Sequence, residues 1–190
     1  MSILCYFSDV SRKYKFYNKE GLYFISFATI YWVDVFVRDE YFRVMVESLA
    51  YCRSEKGMEI YAYCIMPSHI HLIFRAKHSN PGDILRDFKA YTSKRLQSEI
   101  FNNSKESRKE WLLWMLEKAG KENSNIKSRQ FWQQHNKPIE LWSPEVIDQK
   151  VDYIHMNPVV AGFVSEPENW RYSSAIDYAG SRGELEIDYV

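Results

Sequence analysis

The chain has 190 residues, of which 46% are apolar, 26% charged and 16% aromatic, a size and balance that suit one compact domain with a core needing no disulfide staples. Seven glycines and six prolines, with no low-complexity run, exclude a fibrous or disordered protein. The net charge of zero hides a split: residues 1–137 hold 22 Lys and Arg against 15 Asp and Glu, and residues 138–190 hold 3 against 10, so a basic body precedes an acidic end.

Residues 1–20 mix basic and aromatic side chains without a period and read as a lead-in arm. Their charges follow the apolar part, the reverse of a signal peptide, and no apolar run reaches the ~18 residues of a membrane span. A cytoplasmic location is therefore expected. Residues 22–37, rich in Tyr, Phe, Ile, Val and Trp, predict a strand. Asp39 is placed to cap a helix whose stripe is Tyr41, Phe42, Met45, Leu49 and Cys52, and Gly57 closes it. Two apolar runs follow, EIYAYCIM and HIHLIFRA, joined at Pro67-Ser68 as a tight antiparallel connection.

A second helix is expected from Asp83 to about Ile100, with Ile84, Leu85, Phe88, Tyr91 and Leu96 as its apolar stripe. The polar stretch 102–128 around WLLWML reads as an insertion carrying one short helix, and residues 131–141 as a weak strand or hairpin. Ser143-Pro144-Glu145 is a helix start, with Ser as cap, Pro in the first turn and Glu at the positive end of the dipole. That helix runs to about Met156, where Asn157-Pro158 marks a stop or kink. Cys5, Cys52 and Cys64 lack C-x-x-C spacing and read as filler.

This order of elements is the split βαβ plan of an α+β, ferredoxin-like antiparallel sheet with helices on one face, plus a C-terminal helix. The other face is left free to bind something. One domain is expected over 1–190, with a core at about 22–170, the insertion at about 102–128 and an acidic tail at 171–190.

The residues that carry chemistry begin with His69-Ile70-His71. Residues two apart on a strand point to one face, so both imidazoles project together while Ile70 faces the core. Two imidazoles on a rigid strand are a partial site for a divalent metal and need a third ligand from elsewhere. Taken alone, H-x-H is equally compatible with two polar residues on a solvent face. Tyr153 and Asn157, four apart in VDYIHMNPV, share one helix face. A helix laid across the sheet would put that face over the histidines, with Tyr153 as a nucleophile beside a metal and Asn157 as an oxygen ligand. Without the histidines, Tyr153 is one more boundary tyrosine among 14. His155 lies about 200° round the helix from Tyr153 and faces elsewhere.

The segment YCIMPSHIHLIF, followed about 80 residues later by YIHMNPVVAGFV, resembles the single-tyrosine HUH transposases, and within them the REP-associated tyrosine transposase branch. The likeness covers about residues 22–170, and RYSS at 171–174 fits the family's tail. The resemblance implies a metal-dependent single-stranded DNA strand transferase. His69 and His71 would be the pair for magnesium or manganese, with Asn157 as third ligand. Tyr153 would attack a phosphodiester, giving a 5′-phosphotyrosine link and a free 3′-hydroxyl, and the reverse reaction would rejoin strands. A hairpin-forming DNA partner is implied, and both homodimer and monomer are left open.

Arg86, Lys89, Lys94 and Arg95 on the second helix, with Tyr91 among them, are candidate DNA phosphate contacts or else a solvated helix face. Trp111, Trp114 and Met115 read as a helix packed on the domain, with base stacking as the lesser alternative, and Ser173-Ser174 has no paired histidine or carboxylate in a hydrolase setting. Two rival functions stand beside the enzyme. One is a catalytically inactive or domesticated ferredoxin-like module that binds single-stranded DNA or RNA through sheet aromatics and needs no H-x-H. The other is a metal-dependent hydrolase in which water attacks.

Overall fold

Strand β1 (Leu22–Ala28) ends well short of residue 37 in the computed structural model, which describes residues 16–123, 128–134 and 136–189. The first fifteen residues of the arm, with Cys5, lie outside the described residues. Thr29 ends β1: its hydroxyl donates to the carbonyls of Val33 at 2.7 Å and Ser68 at 3.0 Å. The chain then turns through Ile30–Trp32, with Tyr31 and Trp32 in the left-handed region at φ 53° and 56°. Strand propensity over 29–37 is overridden by this turn.

Helix α1 (Asp39–Lys56) has Arg38 at its cap position, so Asp39 is its first residue rather than its cap. There the carboxylate takes Arg43 at 2.6 Å and Arg171 at 2.9 Å. Gly57 closes the helix at φ 68°, where a side chain would strain. Strands β2 (Met58–Ile65) and β3 (His69–Ala76) form the expected hairpin. Helix α2 (Pro81–Asn102) starts earlier than expected because the Asn80 side chain caps the Gly82 N–H at 2.8 Å. Helix α3 (Lys109–Lys121), strand β4 (Ile139–Leu141), helix α4 (Pro144–Val160) and the short α5 (Ala175–Tyr178) complete the order.

The sheet runs β2-β3-β1-β4 with every neighbouring pair antiparallel, the split βαβ arrangement of an α+β ferredoxin-like fold. One face is covered by α1 and α2, with α3 packed on α2, and Met45, Leu49, Leu85 and Leu116 share one core with Ile70, Leu72 and Phe74 of β3. The opposite face is not free, contrary to the expectation from the sequence. Helix α4 lies on it, and Val151 and Ile154 bury Phe24, Tyr61, Cys64 and Ile73, which would otherwise face water. A register shift between Ile60 and Ala62 turns both Tyr61 and Ala62 toward α4.

Helix α4 also passes through Pro158 instead of stopping at Asn157. It ends in a paired cap: the Phe163 N–H donates to the Pro158 carbonyl and the Gly162 N–H to Val159, both at 2.9 Å, with Gly162 at φ 77°. Helix α3 joins the core through Leu112, Leu116 and Ala119. Its approach is fixed by Glu106, a fully buried carboxylate paired with Arg38 at 2.9 Å and Arg108 at 3.0 Å. The acidic tail turns inward: Leu185 and Ile187 enter the core, and Arg53 pairs with Asp188 at 3.2 Å. Among the described residues no helix is long and apolar enough to cross a membrane.

Candidate active site

The turn before the histidine strand is held on three sides. Met66 N–H donates to the His69 carbonyl at 2.8 Å, Thr29 N–H to Ser68 at 2.9 Å, and Phe36 N–H to Pro67 at 2.8 Å. From this anchored start, alternation sends Ile70 into the helix-covered core and His69 and His71 to the α4 face. His71 sits between Ser26 on β1 and Cys64 on β2 and is 4% exposed.

Neither ring nitrogen of His71 has a hydrogen-bond partner. Burial pushes this imidazole down to about 3, helped by the neighbouring His69. Burial lowers His69 as well. The Asn157 side chain approaches both rings and works against the shift, without giving either His71 nitrogen a well-formed bond. Both imidazoles are therefore neutral at ordinary pH, the form in which they can ligate a cation.

Helix α4 sets Tyr153 above this pair. Its ring centre lies 5.2 Å from His71, and Phe24 stacks on His71 at 5.8 Å while meeting Tyr153 edge-on at 5.9 Å. Tyr153 is half-exposed, so the phenol stands at the surface over a buried histidine of the same chain. Lys150, one turn earlier, holds its Nζ 5.5 Å from the Tyr153 ring centre. Trp32 meets His69 edge-on at 5.2 Å. Tyr153, His69, His71 and Asn157 are thus brought together. Phe24, Trp32 and Lys150 join them and were not singled out from the sequence. Lys150 carried a signal in its spacing from Tyr153, whereas Trp32 was hidden in a strand-like run.

The candidate DNA cations on α2 are not brought there, because α2 lies on the other side of the sheet. Arg86 pairs with Asp83 and Asp87, and Arg95 with Glu99. Lys89 points inward, its Nζ donating to the Gln133 carbonyl and Asn136 Oδ1, both at 2.7 Å, and burial lowers it to about 8. Lys94 remains exposed.

His155 faces away from the site, as its helix angle predicts. Its Nε2 lies 2.8 Å from Ser174 Oγ, which also accepts the Tyr63 N–H at 2.9 Å. Ser174 therefore does have a histidine partner, but both are buried, and the pair ties α4 to β2 rather than facing a substrate. Cys52 and Cys64 are buried thiols pushed up to about 11 and 12. Among the described residues no three His, Cys, Asp or Glu side chains stand together as a metal cluster.

Fold and sequence together define a transposase: residues 22–119 match the family described as "Transposase IS200 like", and the chain belongs to that family. Over 162 residues it is 24% identical to a Haemophilus influenzae protein assigned as a REP-associated tyrosine transposase, a match covering 83% of this chain and 81% of that one. In fold it is similar to the solved structure of a REP-associated tyrosine transposase bound to a REP hairpin. That likeness has a TM-score of 0.65 at 17% identity and covers 95% of this chain and 91% of the other. The family match includes His69 and His71 and stops before α4.

Proposed function

We propose that the protein is a metal-dependent strand transferase that cleaves and rejoins single-stranded DNA through a 5′-phosphotyrosine link at Tyr153. In this reading residues 1–190 form one transposase domain. The observation that carries the reading is the His71 ring, buried and without a partner at either nitrogen beneath a half-exposed tyrosine of the same chain. Such an orphaned polar group costs about 1–3 kcal/mol, a cost that a bound cation would remove.

The donors suit a divalent cation such as magnesium or manganese, for which His69 and His71 would supply two neutral nitrogens and Asn157 an amide oxygen. Bound there, the ion would supply Lewis-acid polarisation of the scissile phosphate. Tyr153 Oη attacks phosphorus, the bond from phosphorus to the 3′ oxygen breaks, and the departing 3′ oxygen leaves as a hydroxyl carrying the proton the phenol gives up. One phosphodiester replaces another, so the link retains the energy for the reverse step. Phe24 and His71 hold the Tyr153 ring in place, and the Lys150 ammonium puts positive charge beside the developing negative oxygens. The hairpin-bound relative supports a hairpin-forming strand as substrate. Tyr153 packed on its own chain's His71 supports a site completed within one protomer.

The test is a denaturing gel of protein incubated with labelled single-stranded hairpins from the flanks of its gene and manganese. A slow-migrating adduct is expected, absent with Tyr153→Phe and with EDTA. Cleavage retained by Tyr153→Phe would overturn the tyrosine mechanism in favour of water. Binding with no adduct would transfer the reading to a non-catalytic DNA-binding module.

A further inference from the structure

Four rings stand in a row across the site. Trp32 meets His69 at 5.2 Å, His69 meets His71 at 4.8 Å, and His71 meets Tyr153 at 5.2 Å. Trp32 therefore closes the end of the histidine pair opposite the nucleophile, with 57% of its surface open to solvent. Its backbone is costly to hold. Tyr31 and Trp32 are consecutive residues at φ 53° and 56°, a conformation that glycine adopts freely and side-chain-bearing residues disfavour.

The fold braces this turn from both sides. Thr29 Oγ1 bonds across it to the Val33 carbonyl at 2.7 Å and ties it to Ser68 at 3.0 Å, next to His69. From the insertion, Arg108 donates to the Asp34 carbonyl at 2.7 Å just before α3, and the Tyr31 hydroxyl reaches Glu122 just after it. Ile30 of this turn enters the core, whereas the indole presented beside the histidines takes no part in that packing.

We propose that Trp32 is a stacking platform for one base of the DNA strand, adjoining the phosphate held over the histidines, and that α3 is the brace that presents it. This inference rests on the strand-transferase reading. An aromatic face accepts any base without reading its edge, so the platform would position the strand rather than select its sequence.

The test is anisotropy binding of a labelled hairpin with single-stranded flanks, intact or carrying one abasic nucleotide at each flank position in turn. One abasic position is expected to weaken wild-type binding about 5- to 150-fold. Trp32→Ala should weaken the intact strand by a similar factor and no longer distinguish that abasic strand, while Trp32→Phe keeps most of the affinity. Trp32→Gly should bind as poorly as Trp32→Ala yet melt no lower than wild type, since it relieves the backbone. Equal binding by Trp32→Ala and wild type, with the Tyr153 adduct still forming, would overturn the platform and leave the transferase standing. An abasic penalty unchanged in Trp32→Ala, or a large drop in melting temperature for Trp32→Gly, would also overturn it. Wild-type protein that neither binds nor forms an adduct would overturn the reading beneath.

Discussion

On one side of β3, Ile70, Leu72 and Phe74 are fully buried in the core beneath α1 and α2; on the other, His69, His71 and Ile73 face the single helix α4. The two sets alternate along one strand and share its backbone, yet the first is apolar throughout and the second carries an imidazole with no partner. A one-residue slip in register would exchange them, so the deep apolar face also fixes which way the histidines point. Stability is concentrated where the helices of the first face pack, and the local shortfall falls at the proposed site.

The comparison breaks most visibly on the apolar side. Phe74→Ala should lower unfolding free energy by about 3–5 kcal/mol in urea titrations, whereas Tyr153→Phe on the other face should stay within about 0.5 kcal/mol of wild type. An equal loss from both would contradict the division between faces.

Next comes the brace of the helical side. Glu106→Ala leaves Arg38 and Arg108 facing a buried gap and should cost about 3 kcal/mol by the same titration. Arg108 and Arg38 hold Glu106 at about 2, below its ordinary 4.5, despite burial that opposes them. Its ion pairs therefore stabilise fully above about pH 4.5 and lose that contribution as pH falls toward 2. Glu106→Gln should flatten this acid limb.

Two buried histidines on the α4 side sharpen the contrast further. His155→Leu abandons Ser174 and should cost about 1–3 kcal/mol, while His71→Leu removes an unpaired ring and should be neutral or stabilising. With EDTA present, burial holds His71 at about 3 and His155 at about 4, below the ordinary 6.5. The unfolded chain then takes up protons first, so stability is level above about pH 6.5 and declines as pH drops toward 4. Removing either histidine should shallow that slope, read from urea midpoints across the pH range.

The smallest effect expected is metal linkage. Manganese at ten times its dissociation constant should raise wild-type stability by about 1.4 kcal/mol in thermal melts and leave His71→Leu unmoved. An identical rise in both would place the cation elsewhere.

Local features legible in the sequence were those that a residue's own backbone decides. The alternation in HIHLIF settles which side chains share a face, Ser143-Pro144 starts α4, and Gly57 ends α1 where short-range capping chemistry places it. The four-residue spacing of Tyr153 and Asn157 followed from helix period alone. Tertiary structure decided what those faces meet. Helix α4 folds over the second sheet face because Phe24, Tyr61 and Ile73 need covering, and only that docking sets Tyr153 above His71. Lys89 turns inward to carbonyls some 44 residues away, and Trp32 leaves a strand-like run for a braced turn. Periodicity and capping act within about one helical turn, whereas burial is settled by the whole chain at once, so the sequence by itself determined direction and the packed fold determined company.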